Sequence, residues 1–142
     1  MTLSPRADQV RTARMVAATA ARRSGVAEEL LDDVRLAVAE ACSRAVRRHV
    51  ATGSTDLVAL TFTDDVDAFS VAVIDRAGPN PAATGERPNY ARGLDGDDPG
   101  IDLDDPDALS LALIAGLIPS HRVTAGPTAG STQVTMTWPL ST

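Results

Sequence analysis

Glu40 and Arg44 are the first residues whose types and spacing ask for a chemical account. They lie in Leu30 to His49, LLDDVRLAVAEACSRAVRRH, where Glu40 sits among small apolar residues and Arg44 follows one helical turn later on the same face. A carboxylate can take up a proton. A guanidinium is donor-only and permanently charged, so Arg44 can neutralise Glu40 across the turn. The plain reading is an amphipathic helix with a solvent-facing Glu–Arg pair. Asp75 closes the run AFSVAVID, a position where a carboxylate commonly caps a turn. The single cysteine, Cys42, excludes an intramolecular disulfide and supplies no structural zinc site, and it reads as a buried thiol rather than a nucleophile. His49 and His121 have no partners at metal-binding or catalytic spacing and read as surface or helix-end residues.

The elements that must position these groups follow from hydrophobic period. Leu30, Val34, Ala37, Val38, Ala41 and Ala45 recur at steps of three and four, which predicts a helix from about Ala27 to Arg48. Before it, Ala7 to Arg23 has the same period, with Arg11, Arg14, Arg22 and Arg23 on a basic flank and Gly25 available as a left-handed cap. Residues 1 to 4 allow at most an edge strand. The period then changes to two: Asp56 to Thr63 and Ala68 to Asp75 alternate and are joined by the polar turn Asp64 to Asp67, predicting a hairpin. Asp107 to Ile118 is apolar nearly all round and predicts a buried third helix, capped by Asp107 and stopped by Pro119. Arg122 to Ala125 and Thr132 to Pro139 predict a final hairpin across the Gly126 to Gly130 turn. This order gives an α+β fold, a two-layer sandwich with helices covering one face of an antiparallel-rich sheet.

Residues 78 to 106 are different in kind. They are rich in Pro, Gly and Asp and too long for a simple connection, so they read as a disordered segment or a lid-like loop. A calcium loop in DGDDPGIDLDDP fails on spacing, because Pro106 stands at the twelfth position where a bidentate Glu belongs. Within one domain of 142 residues and net charge −6, residues 1 to 50 carry nine Arg and Asp95 to Asp107 carry seven Asp. The acidic total argues against nonspecific nucleic-acid binding. No signal-peptide pattern and no apolar run of membrane length is present, which predicts a cytoplasmic protein with no membrane partner.

The order of helix, LAVAEA helix, two strands ending in Asp, long loop, apolar helix and a hairpin ending TWPL resembles the RsbW-type anti-sigma-factor serine kinases of bacteria, within the GHKL ATPase superfamily. The likeness covers nearly the whole chain. The family's E-A-x-x-N box falls on Glu40-Ala41-Cys42-Ser43-Arg44, its D-x-G-x-G box on Asp75-Arg76-Ala77-Gly78-Pro79, and its G-x-G-x opening after the lid on Ala108-Leu109-Ser110-Leu111. The resemblance implies a GHKL-type sandwich with three helices on the sheet, Glu40 as general base toward a serine hydroxyl, and Asp75 as acceptor from the adenine amino group.

It also implies what is missing. The family's Asn holds magnesium, and Arg44 cannot ligate a cation, although it can contact a phosphate. Ala77 and Pro79 replace glycines that let the backbone approach a nucleotide, with Gly78 beside them as partial compensation. Ala108 and Ser110 replace the hinge glycines, and Asp107 adds negative charge where phosphate would lie. The expectation is therefore a regulator that binds a sigma factor and/or a STAS-domain antagonist, with no protein-held metal and with ATP binding weakened or lost. Arg14, which matches a family arginine used toward partners, and Arg11 on the same basic flank are the candidate partner contacts. The alternative is an active kinase that uses ATP and magnesium to phosphorylate its STAS antagonist. A homodimer is compatible with either.

Overall fold

The computed structural model describes residues 1–78 and 105–141. Helix α1 (Ala7–Ser24) buries Ala13, Ala17 and Ala21, a stripe of small residues spaced by four. Such a stripe lets a second helix approach closely. Gly25 ends it in the left-handed region at φ 103°, its N–H shared between the carbonyls of Ala21 and Arg22. A short 3-10 turn at Glu28–Leu30 leads into α2 (Leu31–Thr52). The second helix thus starts later than its apolar period suggests and runs one turn further. Nothing from His49 to Thr52 breaks it until Gly53 adopts φ 69°.

The strands β1 (Thr2–Leu3), β2 (Val58–Asp64), β3 (Ala68–Ile74), β4 (Ser120–Ala125) and β5 (Thr132–Pro139) form one sheet in the order β1-β2-β3-β5-β4, every neighbouring pair antiparallel. Register sets the faces. Leu60 lies opposite Val73, Val71 opposite Met136 and Phe69 opposite Trp138, and all six are buried. The opposite face carries Ser70 and Thr137, whose hydroxyls share a hydrogen bond at 2.9 Å. The expected two-layer α+β sandwich is the architecture observed.

With few aromatics, the core is filled mainly by Ala, Val, Leu and Ile. Phe62, Phe69 and Trp138 make a short aromatic ladder across β2, β3 and β5, with ring centroids 6.4 and 6.5 Å apart. Cys42 is part of this core as expected, and burial pushes its thiol up to about 12.

Helix α3 (Pro106–Leu117) departs from expectation in two ways. Its cap is Asp105, whose carboxylate accepts the N–H of Asp107 at 3.0 Å; Pro106 occupies the first turn, where a fixed φ and a missing N–H cost nothing. Asp107 is thereby free of the capping role. Moreover, α3 is not buried all round: Ala108, Leu111 and Ile114 are buried, the last two in the core shared with the sheet, but Leu109 and Leu113 are about half exposed at 40% and 49%. Residues 79–104, which hold most of the lid-like segment (78–106) and of the rejected calcium loop (95–106), lie outside the described residues. Among the described residues no helix is long and apolar enough to cross a membrane.

Candidate functional site

Arg44 and Arg48 stand one turn apart on α2 and both point inward. The Glu40–Arg44 pair read from spacing does not form. Arg44, 2% exposed, instead lies 3.4 Å from Asp107 and 3.9 Å from Asp75, and its Nη1 donates to Thr132 Oγ1 at 2.9 Å. The buried Asp75 and the largely covered Asp107, in a lower dielectric, together attract a guanidinium more strongly than the more exposed Glu40. Arg48 closes the cluster. Its Nε donates to Asp75 Oδ2 at 3.2 Å, its Nη1 to Asp107 at 3.4 Å and its Nη2 to the carbonyl of Gly130 at 2.5 Å. Two guanidiniums thus face two carboxylates, tying α2 to the end of β3, the start of α3 and the β4–β5 turn.

Asp75 is the centre of this arrangement and is 1% exposed. Its Oδ2 accepts from Arg48 Nε, from the Thr132 N–H at 3.2 Å and from the Thr132 hydroxyl at 2.5 Å. Its Oδ1 accepts from the Ala77 N–H at 3.1 Å, the turn-capping role. Of the about four lone-pair sites of an ionised carboxylate, those of Oδ2 are crowded by three donors, while Oδ1 takes one. Gly78, next in the loop, donates to Thr52 Oγ1 at 3.3 Å. Among the described residues nothing stands where a Cβ would lie, and the backbone does not use the left-handed freedom of glycine.

Glu40 belongs to a neighbouring, more open cluster. It accepts from the Ser110 hydroxyl at 2.5 Å, Ser110 accepts from Arg47, and Arg47 Nη2 lies 3.9 Å from the Glu40 carboxylate. Glu40 therefore finds its guanidinium two turns on, at Arg47. Ala108 and Ser110 are buried at the start of α3, so the polar contacts of both clusters seat that helix on α2. Arg11 and Arg14 are exposed on α1, in neither cluster. Sequence reasoning missed Arg47, Arg48 and Thr132. Arg48 carries a readable signal, since it repeats the face of Arg44 one turn later; Thr132 carries none, because its contact spans 57 residues. Among the described residues no group of three His, Cys, Asp or Glu side chains is placed to hold a metal ion.

His49 also departs from expectation: it is fully buried, not a surface residue. Its Nε2 accepts the Arg76 N–H at 2.9 Å, so the neutral ring carries its proton on Nδ1. Burial lowers its pKa, outweighing the attraction of Asp75 and Asp56. The unfolded chain takes up this proton as pH falls through about 6.5, whereas the folded chain resists it to a lower pH. The unfolded state then binds more protons, so the His49 contribution to stability, intact above that window, is lost as pH falls. Urea midpoints measured from pH 7.5 to 5.5 should decrease, and His49→Asn should flatten that part of the profile; an unchanged slope would contradict this role.

An antiparallel sheet under three helices, with a carboxylate at the end of β3 facing the middle helix, defines an ATPase-type α+β sandwich of the GHKL superfamily. The chain belongs to the histidine kinase-like ATPase domain family, whose model matches residues 3–138. A search of curated proteins finds no match to the chain.

Proposed function

We propose that this chain is a protein-binding regulator of the anti-sigma type that keeps the ATPase fold while its nucleotide position is filled by its own side chains. It acts by holding a sigma factor and/or a STAS-domain antagonist, with Arg14 and Arg11 of α1 as contacts. The supporting observation is Asp75. In a nucleotide-binding member this position must offer an acceptor to adenine, but here four internal donors use the carboxylate and Arg44 and Arg48 pack over it. Arg44 offers no lone pair to magnesium, and Asp107 would face phosphate with like charge. The residues present therefore do not fit ATP with magnesium.

A ligand held at about a hundred times its Kd stabilises a fold by about 2.7 kcal/mol. Millimolar Mg-ATP is accordingly expected to leave the thermal midpoint in place. A midpoint raised by several degrees, or transfer of phosphate from ATP to a serine of a STAS-domain partner, would overturn this reading in favour of the kinase alternative with Glu40 as base.

A further inference from the structure

The core accounts for one face of the sheet. Val71, Val73, Val134 and Met136 point into it together with the buried stripes of all three helices. The other face is set by register. Thr61 lies opposite Ala72 and Ala72 opposite Thr135; Thr63 lies opposite Ser70 and Ser70 opposite Thr137, all at least partly open to solvent. Every outward position of β2, β3 and β5 is uncharged, and none carries a side chain larger than Ile74 or Gln133. The first charge on this face is Arg122, on the edge strand β4. The chain has 13 basic and 19 acidic residues, so a solvated face of three strands would be expected to carry several of them. Depletion of charge at the centre of a surface is instead the compositional mark of an interface.

Charge also selects the occupant. With nothing ionised at its centre, the face offers no pairing to a charged partner, so what covers it must be neutral and smooth as well. A second copy of this chain presents such a face, and two molecules of net charge −6 can meet there without setting like charges against each other. Shape agrees. Ala, Ser and Thr let two sheets approach to about 10 Å face to face. Thr, stiff at χ1, and Ala lose little side-chain entropy when covered. Size sets the strength. The four strands β2, β3, β5 and β4 have six to eight residues each. At about 3.4 Å per residue and about 4.8 Å between strands they present roughly 450 Å². Two copies then cover roughly 900 Å² of sheet, and somewhat more with side-chain relief, near the about 1,000 Å² at which specific interfaces begin. An area of that size makes a weak, reversible dimer rather than an obligate one.

We infer that the outer face of the sheet is a self-association surface, on which a second copy of this chain packs its own sheet about a twofold axis. This goes beyond the binding of a regulatory partner and is compatible with it. Arg11 and Arg14 lie on α1, in the helical layer on the far side of the sheet, so both copies keep that helix exposed.

Sedimentation velocity of the full chain from about 1 to about 500 µM should show a monomer–dimer equilibrium with a dissociation constant on the order of tens of micromolar. Ala72→Glu at the centre of the face and Thr61→Glu beside it should each weaken dimerisation at least about tenfold, because each sets like charges together in one small interface. Thr61 is exposed, so its variant should keep the parent's circular dichroism and thermal midpoint at low concentration, where the monomer dominates. Thr19→Glu, on the exposed side of α1, is the control and should change nothing. Raising salt from about 50 to about 300 mM should leave association unchanged or strengthen it, since screening reduces net repulsion and no ion pair holds the dimer. In ¹⁵N-labelled protein, concentration-dependent NMR shifts should fall on β2, β3 and β5. A monomer across the whole range, a dimer that both glutamate variants leave intact, one that salt dissolves or Thr19→Glu splits, or shifts confined to α1 or β4 would each overturn the inference. A monomer with Mg-ATP still silent counts against the sheet face alone; Mg-ATP binding by a chain that still dimerises counts against the nucleotide reading alone.

Discussion

Asp75→Ala is expected to lower the free energy of unfolding by about 3–5 kcal/mol, the range for removing one partner of a buried ion pair. The reason is the company left behind. Arg44 and Arg48 are both almost fully buried, and among the described residues Asp107 is the carboxylate that they would still share without Asp75. The Thr132 and Ala77 N–H groups lose their acceptor as well. For a domain of this size each kcal/mol moves the thermal midpoint by a few degrees, so a fall on the order of 10 °C is the expected readout. Asp32→Ala is the control: its pair with Arg35 at 2.6 Å lies in solvent, and the loss should stay within about 1 kcal/mol. Equal effects at the two positions would remove the buried cluster from the account. Replacing a whole buried ion cluster by apolar residues is often neutral or stabilising. Stability alone is therefore a poor reason for this cluster; filling a polar position with fixed geometry is a better one.

Trp138→Ala should cost a similar amount, about 3–5 kcal/mol, for a different reason. Trp138 is the largest fully buried side chain, lies opposite Phe69 in the register and ends the aromatic ladder. In a core built largely of Ala and Val, few neighbours are large enough to collapse into the cavity. Its Nε1 has no hydrogen-bond partner among the described residues. Trp138→Phe removes that unsatisfied donor along with part of the ring, so it should cost clearly less than the alanine variant. Urea unfolding followed by far-ultraviolet circular dichroism measures both, since Trp138 is the only tryptophan fluorophore. Equal losses for Phe and Ala would contradict this packing.

The fold was legible because its signals are local. Period 3.6 marks α1 and α2, period 2 marks β2 and β3, and Gly25 stops the first helix where expected. The helix starts were less legible: Pro106 moves the cap of α3 back to Asp105, and three residues before α2 wind as a 3-10 turn. The site was legible only as positions. Glu40, Arg44 and Asp75 could each be named from the chain, but spacing offered Arg44 a partner four residues away while its actual carboxylates are 31 and 63 residues away in the sequence. His49 was misread for the same reason. A histidine near a helix end reads as exposed until the β3–Arg76 turn folds over it. Contacts made between elements leave no periodic trace in one sequence.

The central claim is that Arg44 and Arg48 hold the Asp75 position closed to nucleotide. The side-chain Nε–H signals of these arginines, observed by NMR in ¹⁵N-labelled protein and assigned with Arg44→Lys and Arg48→Lys, report on it directly. The account predicts that both signals stay in place, with slow solvent exchange, as Mg-ATP is raised to millimolar concentration. Saturable movement of either signal with added Mg-ATP would show nucleotide entering the cluster, and would contradict it.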